Sequence, residues 1–329
     1  MSSLPTVAVV DIGSTTIRYG QGTRRGPKSV QSEPTQASAL PSQLVAIVER
    51  ITESAMGPIR HIAVSTTGLV DAERGVICEF DTADGETIHE IPIGPTLEES
   101  FGVPVSLEND CTTAALGEAT FGAGSDFETV AHVTFGTGIG AGVVVDERPF
   151  RGEHGYAAEV GLIPVVADGE LSSTGVRGAW EAYCSGRGIP AFARHLLSAT
   201  DHPSKLRGQE SITAQNVFAA AETSDEFAQA CLDRVARYNA AGLGAVVNTY
   251  DPGIITLGGS VALKNAEWML DGIRERVDEY TVAEPPTIQL TSLGSDTELY
   301  GAAAAFFGSQ EQADPIDQFG TSSPPSSSR

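Results

Sequence analysis

The chain has 329 residues, enough for one large core or two smaller lobes. Apolar residues make up 41% of it, ordinary for a globular fold, and no apolar run is long enough to cross a bilayer. Against 20 basic residues stand 43 acidic ones, and the net charge of -23 repels nucleic acid and anionic membranes.

That acidity points to a salt-rich cytoplasm, where screening relieves the repulsion among so many carboxylates. The lysines are Lys28, Lys205 and Lys264; the other cations are arginines. Cys78, Cys111, Cys184 and Cys231 are widely spaced and form no C-x-x-C pair, so reduced, mostly buried thiols are expected. Met1 to Pro5 carries no basic n-region or cleavage-site pattern, and the expected location is cytoplasmic.

Thr6 to Val10 is an apolar, β-branched run and predicts a buried strand. It ends in Asp11-Ile12-Gly13-Ser14-Thr15-Thr16-Ile17-Arg18. Gly13 lets the backbone approach a phosphate, Ser14, Thr15 and Thr16 offer donors, and Asp11 can hold Mg²⁺ through water. Residues 20–41, rich in Gly, Ser, Gln and Pro, predict turns and an irregular connection. Leu44, Val45, Ile47, Val48 and Ile51 have helical spacing, with Ser42 as the expected N-cap. Further strands are expected at 61–65 and 101–107, and a helix at 111–121.

The strand predicted over 130–134 leads into Phe135-Gly136-Thr137-Gly138-Ile139-Gly140-Ala141-Gly142, and a strand resumes at 141–145. Strand, Gly/Thr turn, strand therefore occurs twice, which points to two lobes of like build with a cleft between them. Residues 178–197 read as interrupted helix, 224–247 as a long helix, and 271–280 and 300–307 as helices. The strand at 254–257 meets Gly258 and Gly259 at a strand–helix junction, which suits a nucleotide or is simply a tight turn. A strand is expected at 287–293, and from Ser309 a polar tail follows that is expected to be disordered. Strands and helices alternate throughout, so the class is α/β with mixed sheets.

Asp11-x-Gly13-x-Thr15-x-x-Arg18, Glu108-Asn109-Asp110, the 136–142 glycine turn, Glu159-Val160-Gly161 and Gly258-Gly259 come in the order and spacing of one family. The chain resembles the sugar kinases of the ROK (repressor, open reading frame, kinase) family, the glucokinases of salt-loving archaea above all. The resemblance implies the actin-like ATPase fold: two ribonuclease-H-like lobes around a central cleft, 1–108 and 109–308, with the final helix able to pack back on the first. It implies ATP, Mg²⁺ and a hexose, most simply glucose, and a homodimer or homotetramer. By the same resemblance, Asp110 is the general base, and Asn109, Glu159 and Glu181 bind sugar beside it. Asp11, Gly13, Ser14, Thr15, Thr16 and Arg18 then form one phosphate segment. Thr134, Gly136, Thr137, Gly138 and Gly140 form the other, and Gly258 and Gly259 take the adenosine side.

Two departures stand out. The family often carries a zinc site of one His and three Cys; here those slots hold Leu162, Ser172, Thr174 and Ala179, so no zinc is expected. The missing His also touches sugar in many relatives, as does a Pro-Asn pair whose place is taken by the stretch around Ala83. Fructose or an N-acetylhexosamine therefore stays open as the substrate, and so does a catalytically silent sugar-binding protein. A DNA-binding repressor fits neither the early first strand nor the charge.

Overall fold

The computed structural model describes residues 6–55 and 57–311; the expected tail lies, from 312 onward, outside them. The chain opens with β1 (Thr6–Ile12), β2 (Thr16–Thr23), β3 (Gly26–Pro34), α1 (Leu40–Ser54), β4 (Ile59–Thr66), β5 (Leu69–Asp71), β6 (Val76–Asp81), β7 (Thr87–Pro92), α2 (Ile93–Phe101), β8 (Val105–Asn109) and α3 (Asp110–Phe121). It continues through β9 (Thr129–Phe135), β10 (Ile139–Val145), β11 (Arg148–Pro149), β12 (Ser172–Ser173), β13 (Val176–Arg177), α4 (Glu181–Cys184), α5 (Gly188–Ser198), α6 (Ala214–Glu222) and α7 (Glu226–Tyr250). It ends with β14 (Ile254–Gly258), α8 (Gly259–Lys264), α9 (Ala266–Arg274), β15 (Thr287–Leu290) and α10 (Thr297–Glu311).

One five-stranded sheet runs β3-β2-β1-β4-β8 and a second β11-β10-β9-β14-β15; β5-β6-β7 and β12-β13 form two small antiparallel sheets beside them. In each five-stranded sheet, the first two hairpin pairs are antiparallel and the last two pairs parallel. The same mixed sheet is thus built twice, and each Gly/Thr turn joins the equivalent strands, β1 to β2 and β9 to β10. The expected α/β class with mixed sheets holds.

β1 is buried on both faces, so its sequence does not alternate. Ala8, Val10 and Ile12 pack with Leu44, Ile47 and Val48 of α1, while Val7 and Val9 pack with Leu299, Ala302 and Ala303 of α10. Across the second sheet, Ala131, Val133 and Phe135 face Trp180 and α7, and Val130 faces Ala115 of α3 and Ala304 of α10. α10 lies on β1, β2 and β4, and α3 on β9 and β10. The two helices cross closely: a Cβ at Gly117 would sit 2.6 Å from Thr297 O, and one at Gly301 would sit 1.7 Å from Thr113 O.

Several expected elements are corrected. Residues 20–34 are not an irregular connection; they complete β2 and form β3. Their small residues are a packing requirement, since a Cβ at Gly22 would lie 2.8 Å from Val9 Cγ1 and 3.3 Å from Ala303 Cβ. Ser42 does not cap α1, which begins at Leu40; its hydroxyl donates to Ala39 O at 2.8 Å. Phe101 ends α2, Gly102 stops that helix with φ of 65°, and the following strand starts only at Val105. The helix expected over 271–280 is α9 over 266–274, followed by a 3₁₀ turn at Val277–Tyr280. β7, α2 and α6 gave no signal that was recognised.

Candidate functional site

The β1–β2 turn is held from outside by Thr35: its hydroxyl donates to Gly13 O at 2.7 Å and its N–H to Thr15 O at 3.0 Å. Gly13 N donates to Thr16 O at 3.0 Å, closing the turn. Ser14 is half-buried and Thr15 and Thr16 are exposed, so their donors lie at the surface of the turn. Asp11 is nearly buried at the end of β1, and its Oδ2 accepts from Arg18 Nε at 3.1 Å and from Arg18 Nη2 at 2.7 Å. The same Nη2 donates to Glu298 Oε2 at 2.7 Å. Burial raises the pKa of both Asp11 and Glu298, against the pull of Arg18. Burial opposes the charge on Arg18 too, but the two carboxylates outweigh it and its pKa rises. Ser65 pairs with Asp11 across β1 and β4; its buried hydroxyl forms no full-strength hydrogen bond among the described residues, though its approach to Asp11 favours the charged carboxylate. Asp11 keeps a carboxylate oxygen beyond the one Arg18 uses, and the Ser65 hydroxyl is near enough to act on the Asp11 carboxyl, so an oxygen donor is available to a hydrated Mg²⁺.

β8 delivers Asn109 and Asp110 to the start of α3. Asn109 is the N-cap: Oδ1 accepts from Cys111 N at 2.9 Å and Thr112 N at 3.4 Å, and Nδ2 donates to Gly68 O at 3.1 Å. Asp110 Oδ1 accepts from Cys111 N at 2.8 Å. The residue is half-buried, yet its carboxyl end is enclosed, and burial pushes its pKa up to about 7, with the charges of Asp11 and Glu298 adding to the effect. Asp110 therefore shares one electrostatic environment with the Asp11 corner.

The β9–β10 turn is closed by Gly136 N donating to Gly138 O at 3.0 Å, and Gly136 O in turn accepts from Gly186 N at 2.8 Å. Thr134 is half-buried, Thr137 exposed, and a Cβ at Gly136 would meet only Thr134 Cγ2 at 3.9 Å, so the turn is open on that side. Gly138 and Gly140 are glycines for other reasons. A Cβ at Gly138 would lie 2.6 Å from Glu181 Oε2, and one at Gly140 would lie 2.4 Å from Cys111 Sγ. Gly140 thus lets α3 seat on β10. Gly259, with φ of +81°, opens α8 against Phe135: a Cβ there would be 2.4 Å from Phe135 O. Gly258 is the buried end of β14, beside His132.

Glu181 supports the turn directly. Its Oε2 accepts from Ile139 N at 2.9 Å, and Oε1 accepts from the Ser173 hydroxyl. Glu159 is exposed as a residue, but withdrawal of its carboxyl from water and the charge of Glu181 both raise its pKa. A pocket of about 770 Å³ is lined by Gly68, Asp71 and Glu79 at the β5–β6 hairpin, by Asn109 at the start of α3, and by Glu159 and Leu162. Glu108 also lines it, paired with Arg151 at 2.6 Å. Asn109 and Glu159 therefore share the pocket; Asp110 is not among its lining residues, though its chain neighbours Asn109 and Cys111 are, and Glu181 lies behind the glycine turn.

The sequence profile of the ROK family matches residues 7–308. The chain belongs to the ROK family. Its relatives include a glucokinase of Thermotoga maritima, 30% identical over 305 residues that cover 90% of this chain and 95% of that one. A crystal structure of a ROK hexokinase from Thermus thermophilus superposes with a TM-score of 0.80 at 29% identity, covering 93% of this chain and 99% of that one. A ROK glucokinase from Streptomyces griseus, in complex with glucose and AMPPNP, gives a TM-score of 0.73 at 30% identity over 91% and 98% of the two chains. The actin-like ATPase fold of these ROK kinases is the fold of this chain.

Reading the ROK motifs did not reveal Glu298, Asp296, Arg151 or Ser65. Glu298 reaches Arg18 across 280 positions, a separation that leaves no local pattern. Ser65 could have been found, since it ends a buried strand in the row of Asp11. Among the described residues no cluster of three or more His, Cys, Asp or Glu side chains is placed to hold a metal, and no helix is long and apolar enough to cross a membrane.

Proposed function

We propose that the chain is an ATP-dependent hexose kinase whose substrate is glucose, converted to glucose 6-phosphate. What supports this reading is Asp110: its chain neighbours Asn109 and Cys111 line the pocket that Glu159 also lines, and its carboxyl feels the charges of Asp11 and Glu298. A carboxyl with a pKa near 7 suits a general base, because it is both available and strong enough at neutral pH.

The reaction is transfer of the γ-phosphoryl group to a primary sugar hydroxyl, in line with the leaving ADP oxygen. The hydroxyl proton passes to an Asp110 carboxylate oxygen as the new P–O bond forms. Asn109 and Glu159 orient the sugar, the second with acceptor oxygens for two hydroxyls. The turns at 13–16 and 136–138 would receive the phosphates, Gly258 and Gly259 the adenosine side, and Asp11 would hold a hydrated Mg²⁺. The metal, when bound, neutralises charge on the transferring group. Glu181 contributes by bracing Ile139 and Ser173 at the turn.

Residues 1–108 and 109–308 act as the two lobes, a reading supported by the repeated sheet topology. Leu162 leaves an apolar wall in the pocket, so the choice among hexoses falls to other lining groups. An ADP-release assay with glucose, fructose, mannose and N-acetylhexosamines, run in concentrated KCl, tests the substrate. Asp110→Asn is expected to lower turnover by about 10²-fold or more while the fold survives. Turnover at the wild-type level in that variant would remove Asp110 from the mechanism.

A further inference from the structure

Glu108 and Arg151 line the sugar pocket, and neither has a part in the mechanism above. Arg151 ends up there because its neighbour Phe150 is fixed to the second five-stranded sheet. Phe150 N donates to Val143 O at 2.8 Å, and its ring meets that of Tyr250 edge-on, with 6.0 Å between centroids. Glu108 lies in β8, the edge strand of the first sheet. The guanidinium joins the two: Nε and Nη2 of Arg151 both donate to Glu108 Oε2, at 2.6 and 2.5 Å. The other oxygen of that carboxylate is also used, since Glu108 Oε1 accepts from Asn109 N at 3.1 Å. One carboxylate therefore connects a cation anchored on one sheet to the backbone at the edge of the other, at the residue that caps α3 and precedes Asp110.

Asn109 Nδ2 donates to the carbonyl of Gly68, which also lines the pocket, and Asn109 Oδ1 holds the first N–H groups of α3. A shift of the Asn109 backbone would disturb all of these contacts, and Asp110 with them. The side chain of Glu108 is only 14% exposed, so without Arg151 it would lose its ion-pair partner at a site where water replaces it poorly. Its carboxylate would then turn toward water or toward the sugar hydroxyls and release the Asn109 N–H. We propose that Arg151 is a positioning residue for the sugar: by holding Glu108 it fixes the Asn109 backbone, and with it the Asn109 side chain and the Asp110 base. The proposal rests on the kinase reading above. The Arg151 side chain is 47% exposed, so water competes for the pair and the effect is several-fold, not many powers of ten.

The test is a double-mutant cycle on the full chain: wild type, Arg151→Met, Glu108→Ala and the double variant. It is read by calorimetry and initial rates with the hexose that the ADP-release assay selects, expected to be glucose. Arg151→Met keeps much of the stem and removes the charge. It is expected to weaken sugar binding about fivefold and to lower kcat by a similar factor, with ADP affinity changed by less than about twofold. Glu108→Ala is expected to weaken the sugar at least as much, and Arg151→Met is expected to add nothing in that background. Arg151→Lys, a point charge without the guanidinium fork, is expected to fall between wild type and Arg151→Met. A purely structural part would lower the melting temperature and leave the sugar affinity of the folded protein as it was, and that result overturns the proposal. So does an equal loss from Arg151→Met with and without Glu108, which would mean that Arg151 acts on the sugar by itself. If Glu108→Ala does not fold, Glu108→Leu, which fills the space, replaces it under the same criteria. Wild type that phosphorylates a hexose while Arg151→Met keeps full sugar affinity defeats this inference alone; wild type that phosphorylates none defeats the kinase reading with it.

Discussion

Asp110 combines two demands that pull against each other. As a base it must be ionised, yet its surroundings favour the protonated form and set its pKa at about 7. Activity should therefore fall as pH drops through about 7, by about tenfold per unit below it, and level off above it. The stability consequence has the opposite sign. A carboxyl whose pKa is raised on folding stabilises the fold fully below its ordinary value of 3.8, and that contribution disappears as pH rises through about 7. Asp110→Asn cannot ionise, so its melting temperature should exceed that of wild type most at about pH 8, by less at about pH 5, and match it only below the ordinary carboxyl value of 3.8. Thermal melts across pH check the second expectation and initial rates the first. A difference between variant and wild type that did not grow with pH would show that the carboxyl is not held in its neutral form.

At the scale of elements, the seating of α3 on β10 fixes where Asp110 stands, and two glycines allow it by different means. A Cβ at Gly140 would meet Cys111 Sγ at 2.4 Å but Cys111 Cβ at 3.7 Å, an ordinary contact. A Cβ at Gly142 would meet the Cys111 carbonyl oxygen at 2.2 Å, which no side-chain change relieves. Gly140→Ala should destabilise by about 1–3 kcal/mol, and adding Cys111→Ala should recover most of that. Gly142→Ala should cost at least as much and resist the same rescue. Denaturant melts of the two double mutants decide it, and equal rescue of both would refute this account of the seating. The same contrast explains what could be read from sequence. Motifs such as Asp11 to Arg18 are local, since a strand end, a glycine and hydroxyls follow one another along the chain. The β2–β3 hairpin was not legible because Gly22 is small for Val9 across the sheet and for Ala303 on a helix that arrives at the far end of the chain. Asn109 was legible both as a sugar ligand and as a helix cap; the fold uses its oxygen for the cap and puts the residue in the pocket wall.

The whole molecule carries a second electrostatic problem, larger than any one site. Arginines such as Arg18 and Arg151 are committed to carboxylates inside or beside the cleft, and a net charge of -23 remains to be accommodated. Exposed like charges repel over a Debye length of about 10 Å at 0.1 M salt but only about 3 Å at 1 M. Folding gathers those charges together, so dilute buffer should penalise the folded state more than the unfolded one. The melting temperature is expected to rise steadily as KCl increases from about 0.1 M to about 1 M and beyond. Sucrose, which favours compact states without screening charge, should give a smaller rise at equal osmolality. The two responses separate repulsion from simple exclusion of cosolvent. A melting temperature indifferent to KCl, or raised equally by sucrose, would mean that the acidic surface is not what ties this fold to salt.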